Sequence, residues 1–285
     1  MRFIIISDCK GKNNGINKEI LTKIFKQTVK LQPQFIVALG DTVAGHPDED
    51  VLIFQLKHLK KLIYKYHPDI TVYPVAGNHE IGSRSNDDRY EKAFSSFYGD
   101  FALDSSLQGY NNLVYFKDFE HVRLIILNTF RFRSAHKIDE AQLNFLEAAA
   151  SIEKKYKLLF FHSPAFPTGA HYGNCLDLHP DYRNLLWSIV DKHKIHVVFS
   201  AHEHNYTRRL IDNSFLDGNF KNPIYQVITG GGGEKLRDKY ISSQGVIIPP
   251  IARHHFVLVD AEGDGLNVYA MDLKGTVMDE FVIKK

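Results

Sequence analysis

The sequence predicts an α/β fold with two packed, mixed β-sheets flanked by helices. In the first two thirds of the chain, short β-branched runs alternate with longer patterns of helical spacing, which is typical of βαβ units and a largely parallel sheet. From residue 207 onward, strand-like runs follow one another without helices, which indicates an antiparallel meander. The 285 residues contain no linker rich in Pro, Gly or Ser. We therefore expect a single domain over 1–285, with residues 207–285 supplying mostly antiparallel strands of the second sheet.

The first third of the chain alternates strands with helices. Runs of β-branched residues predict the strands, and apolar residues at helical spacing predict the helices. Pro33 and Pro68 end the first two helices, and Pro47 with the acidic residues after it suits the first turn of the second. The predicted strands are 3–7, 35–39 and 71–76, and the predicted helices are 18–31, 48–66 and 87–98.

A hairpin, two more helices and a series of strands follow. Residues 113–117 and 121–128 face each other across a short polar turn. In the last third, residues 263–265 and 274–275 supply turns between strands. The remaining predicted helices are 139–153 and 181–193, and the remaining predicted strands are 156–162, 196–201, 207–211, 224–229, 255–260, 266–271 and 276–283.

The composition narrows the functional classes. A net charge of +2 gives the chain no general attraction to nucleic acid or to an anionic membrane. Cys9 and Cys175 are too few for a disulfide framework, and we expect reduced thiols. The first apolar run, 3–6, is too short for a signal-peptide core, and no run approaches the roughly 18 residues of a membrane span. We therefore expect a cytoplasmic protein without a membrane partner.

Residues able to bind metals follow five of the predicted strands. Ligands collect at the carboxyl ends of strands in open α/β sheets, so these side chains should meet although they are far apart in sequence. Each alone has an ordinary explanation, because an Asp at a strand end commonly caps a helix and a His-x-His arises by chance in a chain with 15 histidines. Their shared edge favours a metal centre. The predicted ligands are Asp8, Asp41, Asn78, His162, His202 and His204.

The ligand types favour a binuclear centre of Fe, Mn or Zn. Imidazoles together with carboxylates suit these metals better than calcium. Asp41 is the natural bridge, because one carboxylate can bind two cations. Two ions about 4 Å apart would hold a phosphate and lower the pKa of a bound water, whose hydroxide attacks phosphorus in line. We therefore predict a metal-dependent hydrolase that cleaves a phosphomonoester or a phosphodiester.

His79 is the predicted catalytic residue beside Asp41. It follows a ligand and is free to protonate or stabilise the leaving oxygen; the alternative is that it only supports the metal site. Arg131 could grip a phosphate with two donors, and the alternative is a solvated loop charge. We expect a small phosphorylated substrate. Its predicted contacts are Lys10, Asn78, His79, Arg131 and His171.

The ligand segments resemble the motif set of the calcineurin-like metallophosphoesterase superfamily. The family's pattern is D-x-H, G-D, G-N-H-D/E, a lone His and G-H-x-H, in that order. The matching segments here are Asp8-Cys9-Lys10, Gly40-Asp41, Gly77-Asn78-His79-Glu80, His162 and Ala201-His202-Glu203-His204. The resemblance covers roughly residues 3–206. It implies a four-layer α/β/β/α sandwich with a binuclear site at the strand ends.

The resemblance also implies how the ligands divide between two metals. The first metal would take Asp8, Asp41 and His204, and the second would take Asp41, Asn78, His162 and His202. Segments 77–80, 163–172 and 230–233 are similar to the purple acid phosphatase branch. That branch has a tyrosine shortly after the Gly-Asp segment, where Ala44 or a neighbour stands here, so an iron–tyrosinate centre is not expected.

Lys10 is the main departure, because a metal-binding His usually occupies its place in the family. A protonated Lys has only donors and cannot bind a metal. Three interpretations stay open: Lys10 takes over charge work and holds a substrate phosphate, the first metal binds more weakly, or the protein binds a phospholigand without turnover. A nuclease is a further alternative. The low net charge argues against it, because phosphate backbones are bound largely through Lys and Arg.

Overall fold

The computed structural model of the chain describes residues 1–82, 87–99, 101–215, 220–261 and 265–284. Within these residues, the strands form a six-stranded sheet, an eight-stranded sheet and two two-stranded ribbons. The strands are β1 (Arg2–Ile6), β2 (Lys10–Gly11), β3 (Gly15–Ile16), β4 (Phe35–Leu39), β5 (Thr71–Val75), β6 (Ser105–Ser106), β7 (Tyr115–Asp118), β8 (Val122–Ile126), β9 (Phe130–Arg131), β10 (Ser134–Ala135), β11 (Tyr156–Phe160), β12 (Val197–Ser200), β13 (Tyr206–Ile211), β14 (Ile224–Thr229), β15 (Val246–Ile251), β16 (His255–Asp260), β17 (Gly265–Asp272) and β18 (Val277–Lys284).

The helices alternate with the strands in the first two thirds of the chain, as predicted. Three begin at side-chain caps: Asn17 accepts a hydrogen bond from the Ile20 amide, Asp48 accepts one from the Asp50 amide, and Asp139 accepts one from the Gln142 amide. None of the described helices combines the length and the apolar character needed to cross a membrane. The helices are α1 (Lys18–Thr28), α2 (Glu49–Tyr66), α3 (Asn78–Ile81), α4 (Arg89–Tyr98), α5 (Glu140–Ser151) and α6 (Pro180–Lys192), with 3-10 turns at Val29–Leu31 and Leu176–Leu178.

The six-stranded sheet has the order β18-β17-β16-β1-β4-β5. β1, β4 and β5 are parallel neighbours, with Phe3 opposite Phe35 and Phe35 opposite Thr71. Nearly every side chain of these three strands is buried. Burial on both faces explains why each strand is a continuous apolar run rather than an alternating one.

The eight-stranded sheet has the order β15-β13-β14-β12-β11-β8-β7-β6. Its centre, β8-β11-β12-β14, is parallel, and its two edges are antiparallel. α5 and α6 cover its outer face, where Leu146 and Trp187 are fully buried. The parallel centre places the carboxyl ends of β11 and β12 side by side.

The two sheets pack face to face. The ring of Phe3 meets that of Phe160 edge-on, with 6.5 Å between centroids, and the Tyr115 hydroxyl donates to the Pro74 carbonyl at 3.0 Å. An apolar core between the sheets continues to the inner faces of α1 and α2, and another lies under α5 and α6. The layers therefore follow the order helix, sheet, sheet, helix, which confirms the predicted four-layer α/β/β/α fold class.

The C-terminal strands depart from the expectation that residues 207–285 belong to the second sheet. β13, β14 and β15 join the eight-stranded sheet, but β16, β17 and β18 extend the six-stranded sheet, because β16 pairs antiparallel with β1. β14 is parallel to β12 rather than antiparallel. β1 is buried and needs a hydrogen-bonding neighbour on each side, and β4 supplies only one of them. Of the predicted turns, the one at 274–275 joins β17 to β18, while 263–264 lie outside the described residues.

Candidate metal centre

The predicted ligands follow the carboxyl ends of five strands, three in one sheet and two in the other. Asp8 follows β1, and backbone hydrogen bonds tie it to the next strand end, with 3.1 Å from the Asp8 amide to the Gly40 carbonyl. In the other sheet the Ala201 amide donates to the His162 carbonyl at 2.8 Å. Because the sheets pack face to face, the loops after β1, β4, β5, β11 and β12 meet at one end of the sandwich.

The backbone turns sharply at four of these positions. Left-handed φ values are uncommon for residues other than glycine, and such strained residues cluster at functional sites that hold them in place. Gly40 has a φ of 81°, and a Cβ there would lie 2.5 Å from Nδ1 of His162, so the end of β4 packs directly against that ring. The φ values of the four ligands are 48° at Asp8, 50° at Asp41, 70° at His202 and 52° at His204.

The centre has two halves that share Asp41. The His162 half consists of Asn78, His162 and His202, and the Lys10 half consists of Asp8, Lys10 and His204.

In the His162 half, several buried polar atoms lack hydrogen-bond partners among the described residues. The Nδ1 proton of His162 is donated to the Leu39 carbonyl at 2.8 Å, which directs Nε2 towards Oδ2 of Asp41, 3.4 Å away. Asp41, His162 and His202 each bring a ligand atom within 4.8 Å of the others. Among the described residues, Asn78 Oδ1, His162 Nε2 and His202 Nδ1 have no hydrogen-bond partner. Buried acceptors rarely stay unpaired.

These donor atoms fit a metal ion. They comprise one carboxylate, imidazole nitrogens and an amide oxygen, which is the mixed N and O set that suits zinc, iron or manganese. The Leu39 carbonyl fixes the tautomer of His162, as such partners do for metal-binding histidines. The residues present therefore fit the metal that the sequence predicts.

In the Lys10 half, the chain's own charges pair with one another. Nζ of Lys10 lies 3.1 Å from Oδ2 of Asp41 and 2.7 Å from Nε2 of His79. Nε2 of His204 lies 3.4 Å from Oδ1 of Asp8. Oδ2 of Asp8 accepts a hydrogen bond from the His202 amide at 3.1 Å. This half therefore already contains cationic and anionic partners in contact.

The pKa values follow from burial and from these pairs. Burial would raise the pKa of Asp41, but the charge and hydrogen bond of His162, with the charge of Lys10, hold it well below its ordinary range. Burial would lower the pKa of His162, and Asp41 instead raises it to about 9. Burial opposes protonation of Lys10 too, yet the charges of Asp41 and Asp8 raise its pKa. The centre therefore stabilises positive charge beside Asp41.

His79 links the centre to solvent. Its amide donates to Oδ1 of Asp41 at 3.0 Å, and its Nδ1 lies 2.6 Å from the Ala44 carbonyl. Its side chain is 33% exposed. His79 lines a cleft of about 540 Å³ together with Asn78 and Tyr90, so a ligand in this cleft would reach His79 and the predicted ligand Asn78.

Two buried glutamates hold the loops of the centre, and sequence reasoning assigned them no role. The carboxylate of Glu80 accepts hydrogen bonds from the amides of Asp41 and Gly77, at 2.9 and 3.1 Å. The carboxylate of Glu203 accepts from the amides of Thr168 and His171, at 2.7 and 3.1 Å. Both glutamates lie within the motif segments quoted above, and this position could have indicated a role in the site. Each fixes one ligand-bearing loop against another.

Histidines also surround His202. The ring of His171 lies 4.3 Å from that of His202, between centroids, and its buried Nδ1 has no hydrogen-bond partner among the described residues. The ring of His136 lies 5.4 Å from the same ring, and its Nδ1 is 2.9 Å from the Ser163 hydroxyl. Burial lowers the pKa of His171 and of His136 to about 4, so both rings are neutral. His171 was predicted as a substrate contact, whereas His136 was missed.

Arg131 is directed elsewhere. Its guanidinium lies over the ring of Tyr110, 3.9 Å from the centroid, and donates to the Gly109 carbonyl at 3.2 Å. Glu91 lies 3.7 Å from its Nε. These contacts direct the guanidinium towards Tyr110 and Glu91, and the phosphate contact of Arg131 stays a prediction.

The comparisons with solved structures agree with the fold. A purple acid phosphatase from seeds of yellow lupin (Lupinus luteus) aligns with a TM-score of 0.76 and 18% identity over 100% of this chain and 53% of that one, so the chain spans about half the length of the lupin protein. A dimetal phosphatase from Danio rerio aligns with a TM-score of 0.65 and 17% identity over 100% of this chain and 98% of that one. At these identities the likeness shows a common fold.

A third structure with this fold is the anchor in the inner membrane complex of Plasmodium. It aligns with a TM-score of 0.66 and 15% identity over 100% of this chain and 88% of that one. None of the curated proteins compared with the chain matches it.

The sequence comparison shows the family of the chain, whereas the structural comparisons show only its fold. The sequence model of the family described as calcineurin-like phosphoesterase matches residues 1–206. This match spans more than half of the chain and contains every predicted ligand segment. The chain therefore belongs to the calcineurin-like phosphoesterase family.

Proposed function

We propose that this chain is a metal-dependent phosphoesterase that cleaves a small phosphomonoester or phosphodiester at the centre around Asp41. Family membership supports the reaction class. The observation that carries the proposal is that Asp41, His162 and His202 bring ligand atoms within 4.8 Å of one another, while the buried atoms Asn78 Oδ1, His162 Nε2 and His202 Nδ1 have no hydrogen-bond partner among the described residues. Unpaired buried acceptors are costly, and a bound cation removes that cost.

Asp41, Asn78, His162 and His202 would hold the ion. Bound there, a divalent ion supplies charge to the phosphate oxygens and lowers the pKa of a water. The chain's part is to fix the ligands before the substrate arrives. Glu80 accepts the Asp41 amide at 2.9 Å, and the Leu39 carbonyl orients the ring of His162.

Lys10 and His79 are the groups we assign to the leaving oxygen. Because Nδ1 of His79 lies against the Ala44 carbonyl, it carries the ring proton, and Nε2 accepts a hydrogen bond from the Lys10 ammonium at 2.7 Å. A proton is therefore shared between the two side chains at the mouth of the cleft. From there it can be donated to the oxygen that departs from phosphorus.

The cleft favours a small substrate over a polymer. Its volume of about 540 Å³ lies within the range of roughly 300–1,000 Å³ that is usual for small-molecule sites. The described residues that line it include His46, Pro47 and Tyr90 beside His79. An imidazole, a proline and a phenol suit the organic part of a phosphate ester, while His79 reaches its phosphate.

The test uses the whole chain, stripped with a chelator and then assayed on an aryl phosphate monoester and on the matching diester. We expect hydrolysis that disappears on chelation and returns with Mn²⁺, Zn²⁺ or Fe²⁺. His79→Ala should lower kcat by about 10²- to 10⁴-fold while metal content is unchanged. His121→Ala is the matched control, because the His121 side chain is 61% exposed on a distant hairpin.

A phospholigand-binding protein without turnover is the second candidate. One observation favours it: the Lys10 ammonium already contacts both Asp41 and His79. A protein with the same fold serves as the anchor in the inner membrane complex of Plasmodium. Metal-loaded protein that is thermally stabilised by inorganic phosphate, yet hydrolyses neither ester, would favour this candidate over the phosphoesterase.

A further inference from the structure

The Lys10 ammonium is buried in the centre and contacts several of its side chains. Its side chain is only 11% exposed. Two acceptors lie within hydrogen-bond distance of Nζ, Oδ2 of Asp41 at 3.1 Å and Nε2 of His79 at 2.7 Å, and Oε2 of Glu234 lies 3.9 Å away as an ion-pair partner. Because an ammonium that leaves water needs acceptors for its N–H donors, these contacts hold it in place. Lys10 is therefore a fixed part of the centre rather than a loop charge.

Asp41 already bridges two partners through one oxygen. Its Oδ2 faces Lys10 Nζ at 3.1 Å and His162 Nε2 at 3.4 Å, while its Oδ1 accepts the His79 amide at 3.0 Å. A divalent ion on the Lys10 side of Oδ2 would lie against the ammonium. Like charges in contact at a buried site repel strongly, because little water screens them. The geometry leaves the His162 side open to an ion and fills the other.

The other members of the Lys10 half are also engaged with the chain. Nε2 of His204 lies 3.4 Å from Oδ1 of Asp8, and Oδ2 of Asp8 accepts the His202 amide. The guanidinium of Arg237 lies 3.4 Å from Nδ1 of His204 and adds a second fixed positive charge. Oδ1 of Asp8 faces His204 but has no hydrogen-bond partner among the described residues, so Lys10 and Arg237 are the groups that bring fixed positive charge to this half.

We propose that the Lys10 ammonium replaces one of the two metal ions expected from the sequence, so that the chain binds a single ion in the His162 half. This inference rests on the proposed function, since it assumes that the His162 half binds metal. Asp41 keeps its bridging position, with a metal on one side and an ammonium on the other. Asp8 and His204 then support the centre by pairing with each other and with the backbone.

The experiment counts ions rather than turnover. The purified chain, Lys10→His and Lys10→Gln are stripped, reloaded with excess Mn²⁺ and freed of unbound ion, and Mn per chain is measured by elemental analysis. We expect about one ion in the wild type, about two in Lys10→His, and an intermediate value in Lys10→Gln, which removes the charge without adding a ligand. Lys12→His is the matched control, because Lys12 is exposed two residues away, and it should stay at about one.

Electron paramagnetic resonance of the same samples provides a second count. A single Mn²⁺ gives an isolated-ion spectrum, whereas two ions sharing a carboxylate give an exchange-coupled one. Two coupled ions in the wild type would overturn the inference and leave the proposed function standing. One ion in both Lys10 variants, with melting temperatures near the wild type, would also overturn it. No ion in the wild type or in Lys10→His would instead contradict the proposed function.

Discussion

The His162 half and the Lys10 half of the centre are built from similar loops but differ in the charge that each places beside Asp41. In the His162 half, buried acceptors on Asn78, His162 and His202 have no partner among the described residues. In the Lys10 half, an ammonium contacts Asp41 and His79, and His204 pairs with Asp8. The His162 half offers ligand atoms to a cation, whereas the Lys10 half already contains a positively charged ammonium.

The difference teaches that the position of a residue in a motif does not fix the charge that it brings to the centre. Both halves lie at strand ends and both contain left-handed ligands, at His202 and at Asp8. Lys10 stands where the family's motif has a His and follows β1 and the turn at Asp8. It places a positive charge 3.1 Å from Oδ2 of Asp41.

Asp41→Asn should have the largest effect, because Asp41 is common to both halves. Its loss removes the carboxylate that faces both His162 and Lys10, and an amide brings no charge to hold an ion. We expect metal content to fall below detection and kcat/KM for the aryl phosphate to fall by at least about 10³-fold. Elemental analysis and steady-state kinetics measure the two effects. Asp50→Asn, at an exposed helix start, is the control, and full metal occupancy in Asp41→Asn would contradict the shared role.

His162→Gln and His204→Gln compare the halves directly. Nε2 of His162 faces Asp41 and has no hydrogen-bond partner among the described residues, so its loss should weaken Mn²⁺ binding by about 100-fold or more, beyond the roughly 10- to 100-fold typical of indirect partners. His204 contacts Asp8 rather than the ion, so its loss should change the Mn²⁺ Kd by less than about threefold. Calorimetric titration of the stripped proteins gives both constants. Equal losses in the two variants would mean that the halves bind metal alike.

The layered fold could be predicted because its signals are local. β1, β4 and β11 are continuous apolar runs that end at polar residues, and buried parallel strands require that pattern. The sheet to which β16 belongs could not be predicted. Its place beside β1 depends on backbone donors and acceptors, which every residue other than proline carries alike.

The sequence predicted which backbone positions form the site, but not where the long charged side chains lie. Ligand positions follow from the strand ends, but Lys10 and Arg131 carry charges on long flexible stems, and a sequence does not show where such a charge will lie. Lys10 turns towards His79, and Arg131 turns towards Tyr110. The bracing role of Glu80 was missed because its contacts are to backbone amides, which leave no mark on residue spacing.

His255, which packs against the segment 231–234 beside the Lys10 half, should make the free energy of unfolding depend on pH. The His255 amide donates to Gly231 at 3.1 Å, in the segment whose Glu234 amide donates to the Asp8 carbonyl. Burial lowers the pKa of His255 from 6.5 to about 4. The folded ring stays neutral where the unfolded ring takes a proton, so this contribution is complete above about pH 6.5 and is lost as the pH falls towards 4. The loss at about pH 5 is roughly 2 kcal/mol.

Denaturant unfolding of the stripped protein at about pH 7.5 and pH 5 measures that loss. His255→Gln keeps a polar side chain near the Thr229 hydroxyl, which His255 contacts at 2.9 Å, but it cannot titrate. Its stability should therefore fall less than that of the wild type over this interval. His121→Gln, at an exposed histidine, should follow the wild type. Parallel curves for His255→Gln and the wild type would remove His255 as the source.

The smallest expected effect separates the two buried glutamates. Glu80 accepts the amide of Asp41, which contacts both halves, so Glu80→Gln should weaken Mn²⁺ binding by about tenfold. Glu203 accepts amides of the loop at Thr168 and His171 instead, and Glu203→Gln should change the Kd by about threefold or less. Both variants lose charge-assisted hydrogen bonds to buried amides, so both should be destabilised by about 1–3 kcal/mol. If the two variants are destabilised alike but differ in Kd, Glu80 is the glutamate that orients the ion ligands. A tenfold effect from Glu203→Gln would show that the loop at His171 orients them as well.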